Sequence, residues 1–516
     1  MTQQLQPIDL VAPGSAGLNT QRAGQLLSPQ WATRAQNCVM DQSRRLAARL
    51  GYSSATGTAI SPTQLVKTLF EYRTGTGTTQ ILCAYNGGIS NDIASPVAND
   101  ISGAVTDADG RWWMQNFNNK VVGFQHGLKP IVYSGTSFAT ITESSGTAPT
   151  VHRGVGLAAY GRIWALDSDG QTIKYCGLLD ETDWAGATAG QIDMSNIWTD
   201  GMDEVTAIAA FNSSLLVFGK NHIVVFDDDT GSPLGIDPNN LVVLDVLRGT
   251  GCLSQWTIQH IGTADIVFLS RNGIQSLGRV VQVKSNPLEN VSKYNRDELI
   301  ADVDATTDIY TISSCYSPEK GFYLLTFPTL STPRTWCFSV RDAFTDDDNQ
   351  VAFPTTTWDL TAYSLLVTED SSIYLGKTDK VFEYGATTDL GTNISYSFHT
   401  PWLDLGENLG NRIKLLKRIG AIAFIRSSAS ITFSWATDFS DTDDGSYIKS
   451  VTQEGSAEFS IAEFSLAEFS GAEFLQILKV PARATGQYYK FKIESDVSGS
   501  FALQQLEMFA KIGRVA

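Results

Sequence analysis

Apolar residues in this chain fall in short runs broken by Gly, Asn and Asp. From about residue 61 to 385 one unit recurs: an apolar run, a turn, a second apolar run. It is seen in ILCAYNGGIS (81–90), RWWMQNFNNKVVGF (111–124), RIWALDSDGQTIKYCG (162–177), LLVFGKNHIVVF (215–226), DIVFLSRNGIQSLG (265–278), GFYLLTFPTLSTPRTWCFSV (321–340) and SLLVTEDSSIYLG (364–376). Asn86-Gly87, Asp169-Gly170 and Asn272-Gly273 accept positive φ at little cost, so each predicts a tight hairpin. The hairpins recur every ~30 to 50 residues, which is the spacing of propeller blades. The pattern predicts an all-β fold with a β-propeller of six to eight blades over 61–389; a long array of β-sandwiches is the competing arrangement. One helix is predicted at NRDELIADV (295–303), where Asn295 can cap and Asp297 and Glu298 suit the positive helix start.

The two ends have other textures. Residues 390–516 carry longer alternating runs, such as Tyr488-Tyr489-Lys490-Phe491-Lys492-Ile493, and predict a C-terminal β-sandwich-like domain whose strands have one wet face. Inside it, GSAEFSIAEFSLAEFSGAEF (455–474) repeats Ala-Glu-Phe with a period of five residues, placing Phe459, Phe464, Phe469 and Phe474 in register. Five fits neither helix nor strand. It resembles a pentapeptide-repeat coil, and four copies are too few to stand alone, so a projecting loop held by a neighbouring subunit is expected; a duplicated surface loop without a specific role is the alternative. Residues 1–60 predict an extended strap to about 27, a short helix from Ser28-Pro29 to Asn37, and a hairpin with strands Asn37–Asp41 and Arg44–Tyr52.

Composition narrows the function classes. Of 516 residues 42% are hydrophobic, enough for real cores, and only 18% are charged. The formal net charge of −17 argues against a broad grip on nucleic acid, which needs Lys and Arg clusters. Acidity of this kind keeps a protein soluble; acidic walls would also let DNA slide without sticking. The six cysteines are scattered, with no CxxC, and sit in apolar runs as small hydrophobes, which fits folding in a reducing cytoplasm. The N-terminus lacks a basic-then-apolar leader and no run nears 18 apolar residues, so no membrane anchor is expected.

Catalytic chemistry is hard to assemble from these residues. His126, His152, His222, His260 and His399 stand far apart, and HExxH and GxSxG are missing. Asp441-Thr442-Asp443-Asp444-Gly445 superficially resembles a calcium loop but has Thr452 where the twelfth-position Glu belongs. Asp227–Asp229 and Asp346–Asp348 read as solvated turns. At Gly110 and Gly170 the turn boxes of propeller glycosidases would need an Asp where Ala108 and Ser168 stand. The expectation is therefore no catalytic, cofactor or metal residues and no enzyme. The candidate functional residues are for assembly: Arg34, Arg44, Arg45 and Arg49, a basic patch in an acidic chain suited to an acidic partner, with a merely solvated face as the alternative, and the four repeat phenylalanines.

QRAGQLLSPQWATRAQNCVMDQSRRLAARLGYSS, with Asn37, Asp41, Arg44, Arg45, Arg49, Gly51 and Tyr52 in a hairpin pattern, is followed by the propeller-like hairpins. Then come Thr400-Pro401-Trp402 with Leu405-Gly406, and Ala436-Thr437-Asp438. This order resembles the tail nozzle (tail hub, or tail tubular) proteins of podoviruses, the short-tailed bacteriophages. The resemblance covers most of the chain as architecture and rests on short motifs. It implies a virion tail protein, assembled in the host bacterial cytoplasm as a homo-oligomeric, hexameric ring. Such a ring sits below the portal and adaptor, encloses and gates the passage of genomic DNA, and anchors tail fibres or spikes. A glycan-binding or glycan-degrading propeller tail protein is the alternative.

Overall fold

The computed structural model describes residues 6–61, 63–77, 79–105, 109–199, 201–228, 236–262, 265–278, 291–345, 350–405, 412–425, 427–451, 475–498 and 501–515. These are nearly all β, in many small sheets.

The predicted hairpins lie in seven sheets that follow one another along the chain. The first holds Val66–Arg73, Thr79–Tyr85 and Gly88–Ser90. The second holds Trp113–Phe117, Lys120–Phe124, Ile131–Tyr133 and Phe138–Thr140, and the third Gly156–Ala159, Arg162–Leu166, Thr172–Tyr175 and Gly190–Asp193. The fourth is Val205–Phe211, Ser214–Gly219, His222–Asp228 and Leu241–Arg248; the fifth is Gln259–Ile261, Asp265–Ser270 and Gly273–Ser276. Ser313–Ser317, Phe322–Phe327, Arg334–Ser339 and Thr355–Trp358 form the sixth. The seventh has Ser364–Val367, Ile373–Gly376 and Val381–Ala386, with Gly51–Ser54 from the start of the chain as its fourth strand.

The sheets stack face to face. The leading strands of neighbouring sheets touch in series, with Gln255–Thr257 bridging the fourth sheet to the fifth, and the leading strand of the seventh touches that of the first. Separate apolar clusters fill the gaps. Tyr72, Leu82 and Trp112 lie between the first and second sheets. Val122, Phe124 and Ile163 lie between the second and third, and Trp164, Leu166 and Val217 between the third and fourth. Val66, Cys83 and Val381 lie between the seventh and the first. A strand covered on both faces needs apolar residues at every position, which is why Arg162–Leu166 and Ser214–Gly219 show no alternation and are buried throughout. The turns behave as their residues dictate: Gly87, Gly170 and Gly273 all have positive φ, as do both Asn118 and Asn119.

Arg111, just before the second sheet, occupies the middle of the cycle. It donates to the carbonyls of Lys67 (3.3 Å), in the leading strand of the first sheet, and of Tyr363 (2.7 Å) and Ile312 (2.9 Å), just before the seventh and sixth sheets. Its guanidinium lies 4.7 Å from the Trp256 ring, and Trp256 meets Trp113 edge-on at 6.1 Å. Beside them the leading strands enclose a cavity of about 280 Å3.

The last part of the chain forms long strands. Ile394–His399, Tyr489–Val497, Ala429–Thr437 and Gly445–Val451 extend the sixth sheet into one of nine strands. Leu475–Gly486, Arg412–Ile425 and Phe501–Val515 build a second sheet, of six strands. Here one wet face brings back alternation: Tyr489, Phe491 and Ile493 are buried while Lys490 and Lys492 are not. All six cysteines are buried free thiols.

The first 60 residues are shared among these sheets. Gln6–Val11 runs antiparallel to Phe501–Val515. Arg34–Gln36 joins the sixth sheet to the C-terminal strands: Gln36 pairs with Thr357 on one side and Ser397 on the other. The expected hairpin forms, with Cys38–Met40 against Leu46–Ala48, and adds to the six-stranded sheet. The short helix expected from Ser28 to Asn37 does not form. Trp31–Ala32 and Arg34–Gln36 are strands, because Gly17–Leu18, Thr357 and Ser397 satisfy their backbone groups better than one helical turn would. The helix expected at 295–303 is found at Arg296–Ala305. Asn295 stands at its cap without a side-chain cap bond, and Asp302 accepts from Trp336 Nε1 at 2.8 Å.

Candidate assembly interface

Asp41 sets the hairpin turn. Its Oδ1 accepts from the backbone N–H groups of Ser43 (2.8 Å) and Arg45 (2.9 Å), and its Oδ2 from Arg45 Nε (2.7 Å). Arg44, at the tip, takes φ 57°, so consecutive arginines point to different sides. Arg45 is mostly covered, stacked 5.1 Å from the Phe424 ring. Arg44 is 69% exposed and pairs with Asp342 at 3.3 Å. Arg34 is exposed, with Gln36 Oε1 at 2.5 Å.

Arg49 departs from the expectation of a docking residue. It is 1% exposed and cannot meet a partner. Its Nη1 and Nη2 grip Asp389 at 2.9 and 2.7 Å, Nη2 also reaches Asp359 at 2.8 Å, and Nε donates to Asn37 Oδ1 at 2.9 Å. Asn37 in turn donates to the Ser395 carbonyl at 2.7 Å and accepts from Asp359 N–H at 3.1 Å. One guanidinium thus ties the hairpin, the sixth and seventh sheets and the C-terminal strands together. Burial pulls its pKa down, but the pairs with Asp389 and Asp359 outweigh it, and the net shift is upward. Gly51, next to it, has no room for a side chain: a Cβ would overlap the Thr388 carbonyl oxygen.

Asp438 and Trp402, from the same sequence pattern, also make contacts within the chain. Asp438 Oδ1 accepts from the N–H groups of Gln487 (2.6 Å) and Tyr488 (2.9 Å), and Trp402 packs on Phe439 at 5.1 Å. Phe459, Phe464, Phe469 and Phe474 lie outside the described residues, as do Asp346–Asp348.

Sequence spacing missed one ionic cluster. His126 and His152, though separated in sequence, meet edge to face at 5.5 Å. Glu204 draws His152 Nε2 (3.1 Å), Arg153 (2.8 Å) and Lys220 (2.6 Å), while the adjacent Asp203 binds His222 Nδ1 at 2.9 Å. Burial raises both carboxyl pKa values, but these donors override it and both end below the usual range. His152, Arg153, Asp203 and Glu204 precede the leading strands of the third and fourth sheets, while His126 follows the second strand of the second sheet and Lys220 and His222 lie at the second turn of the fourth, so only the fold brings them together; no motif carried the signal. A carboxylate engaged by two cations and an imidazole is a clasp and a poor proton acceptor. Asp443 and Asp444, in the calcium-like stretch, bind Lys492 (2.7 Å) and Thr437 (2.6 Å). Among the described residues there is no cluster of His, Cys, Asp and Glu suited to a metal, and no helix is long and apolar enough to cross a membrane.

Several uncovered apolar residues lie on the outermost strands of sheets. Val242, Val243 and Leu244 are 45–62% exposed on the last strand of the fourth sheet. Tyr447 and Ile448, with Leu475 and Ile477, are 39–66% exposed on the outermost strands of the two C-terminal sheets.

No family model matches the chain, and no curated protein does. Among solved structures, it is similar to the extracellular domain of a one-component system protein from B. thetaiotaomicron, at 11% identity and TM-score 0.39 over 88% of this chain; the match spans 63% of the length of that domain. A computationally designed protein, Ika8, aligns at 14% identity and TM-score 0.35 over 64% of this chain and 98% of its own. A chain of a mitotic checkpoint complex aligns at 10% identity and TM-score 0.35 over 65% of this chain and 93% of its own.

Proposed function

We propose that this chain is a structural, non-catalytic subunit of a short bacteriophage tail. In this reading the seven sheets are the blades of a β-propeller and the C-terminal strands form a β-sandwich. Copies of the chain join in a ring, hexameric by resemblance to the tail nozzle proteins, between the adaptor and the fibres or spikes. The observation that carries the reading is the closed cycle of sheets, completed by Gly51–Ser54 and bolted to the C-terminal strands through Arg49. A part built to bear load needs its two ends locked to its middle, and this chain spends its first 60 residues on that.

Arg111, Trp256 and Trp113 occupy the centre of each cycle and leave beside them a cavity of only about 280 Å3. A passage for duplex DNA, about 20 Å wide, would therefore lie between copies and not through one. The net charge of −17 suits walls that DNA does not adhere to. The exposed apolar margins supply surface for copy-to-copy contact. The reading is tested by sedimentation of the full chain, alone and with its adaptor: a discrete assembly of several copies is expected. A monomer under all virion-like conditions, together with release of reducing sugar from host polysaccharide, would replace it with the glycan-degrading reading.

A further inference from the structure

Arg44, one of the two outward members of the arginine patch, overhangs a pocket of about 380 Å3 that no part of the proposed function uses. Its floor is aromatic. The Trp31 ring lies 4.4 Å from Tyr294 and 5.7 Å from Phe344, and Tyr294 and Phe344 are nearly parallel, 16° apart at 6.2 Å. Two guanidiniums flank it. Arg44 is held there by its positive φ and by Asp342. Arg22, also lining the pocket, is exposed and has no carboxylate partner among the described residues. A non-glycine residue in the left-handed region costs energy, so the placement of Arg44 is sustained by its surroundings. Aromatic rings between two guanidiniums recognise a segment that offers an aromatic ring and a carboxylate side by side.

The chain itself carries that pair four times, as Glu458-Phe459, Glu463-Phe464, Glu468-Phe469 and Glu473-Phe474. We propose that the Glu-Phe repeat at 455–474 of one copy docks in this pocket on a second copy, a phenylalanine on the aromatic floor and the neighbouring glutamate between Arg22 and Arg44. The choice of a second copy rests on the ring reading and on where the repeat is attached. It connects Gly445–Val451, the outermost of nine strands, to Leu475–Gly486, the outermost strand of the other sheet. Both strands bear exposed apolar residues at that margin. Arg34–Gln36, which continues from the pocket strand Trp31–Ala32, lies four strands inward, and each strand step is ~4.8 Å. The strands that flank the repeat lie at the outer margins of their sheets, and its glutamates oppose the charge of Arg22 and Arg44.

The test uses the full chain with residues 455–474 replaced by a Gly-Ser linker of equal length, and a fluorescent peptide of residues 456–474 read by anisotropy. Saturable binding is expected. It should weaken at least ~10-fold when the peptide phenylalanines become alanine, when its glutamates become glutamine, or when the chain carries Arg22→Glu with Arg44→Glu. Circular dichroism confirms that the doubly substituted chain is folded; if it is not, Arg22→Gln alone takes its place, a change confined to an exposed side chain. Absence of binding, or equal binding to the arginine variant, overturns the proposal. Mixing the arginine variant with the linker chain should give a pair in sedimentation that neither forms alone, since one brings the repeat and the other the pocket; a mixture that sediments as its parts overturns the second-copy assignment. Rings assembled by the linker chain without peptide binding count against this contact and not the ring, whereas peptide binding without rings counts against the ring and not this contact.

Discussion

Arg49 and Arg111 are both buried guanidiniums, and the chain neutralises them in opposite ways. Arg49 has two carboxylates, one of them bidentate, and its pKa rises. Arg111 has three backbone carbonyls and an indole face, with Asp109 and Asp308 acting only at a distance, and burial drops its pKa to about 10. The first solution suits a joint, where the N-terminal hairpin meets segments more than 300 residues away in sequence. The second suits the middle of a cycle of sheets, where the only groups that converge are the backbones of leading strands. The joint is held by charge, the centre by dipoles, and the two should fail differently.

The sharpest way to break that contrast is Arg49→Met. It leaves Asp389 and Asp359 facing each other without a cation and should cost ~3 kcal/mol in denaturant unfolding. Adding Asp389→Asn should recover part of the loss. A cost under ~1 kcal/mol would mean that the joint is packed by its apolar neighbours and not by charge. Arg111→Met should cost less, ~2 kcal/mol, since it strands neutral carbonyls only. The two sites share no partner, so the double variant should lose about the sum within ~0.5 kcal/mol.

A smaller effect separates the same regions by pH. Burial lowers the pKa of His399 to about 4, against the pull of Glu494 in the other direction, while Lys490 and Arg34 add to the lowering. The unfolded chain therefore takes up this proton first, near pH 6.5, and the folded chain only near pH 4. Between those values the unfolded state holds more protons, so stability falls as pH drops through that window. His399 pairs with Arg34 across the strand that joins the sixth sheet to the C-terminal strands. Melting curves from pH 7 to 4 should show that loss, and His399→Gln should flatten it. Smallest of all, Arg44→Ala should change stability by less than ~0.5 kcal/mol, since its pair with Asp342 is largely exposed on the arginine side.

What could be read from the sequence was whatever is decided locally. Asn86-Gly87, Asp169-Gly170 and Asn272-Gly273 need only their own conformational freedom, and the helix near 296 needs only its acidic first turn. Alternation marked the C-terminal strands because one face there is wet. The segment from Ser28 to Asn37 forms strands and not the expected helix because its partners lie elsewhere, at Gly17–Leu18 and, for Arg34–Gln36, more than 300 residues away at Thr357 and Ser397. The same distance hid the true role of Arg49, whose carboxylates are Asp359 and Asp389, and the Glu204 clasp, assembled from loops of successive sheets. Basic residues clustered in sequence scattered in space: of four arginines, one is a strut, one stacks on a ring, and two face outward.

The central claim, a ring of copies around a passage that no single copy contains, is tested most directly by negative-stain electron microscopy of the purified full chain with its adaptor. The account predicts axial views of closed rings, each subunit a filled disc, around a shared opening at least ~20 Å across. Isolated particles of a single copy, or rings whose shared centre is closed to duplex DNA, would contradict it.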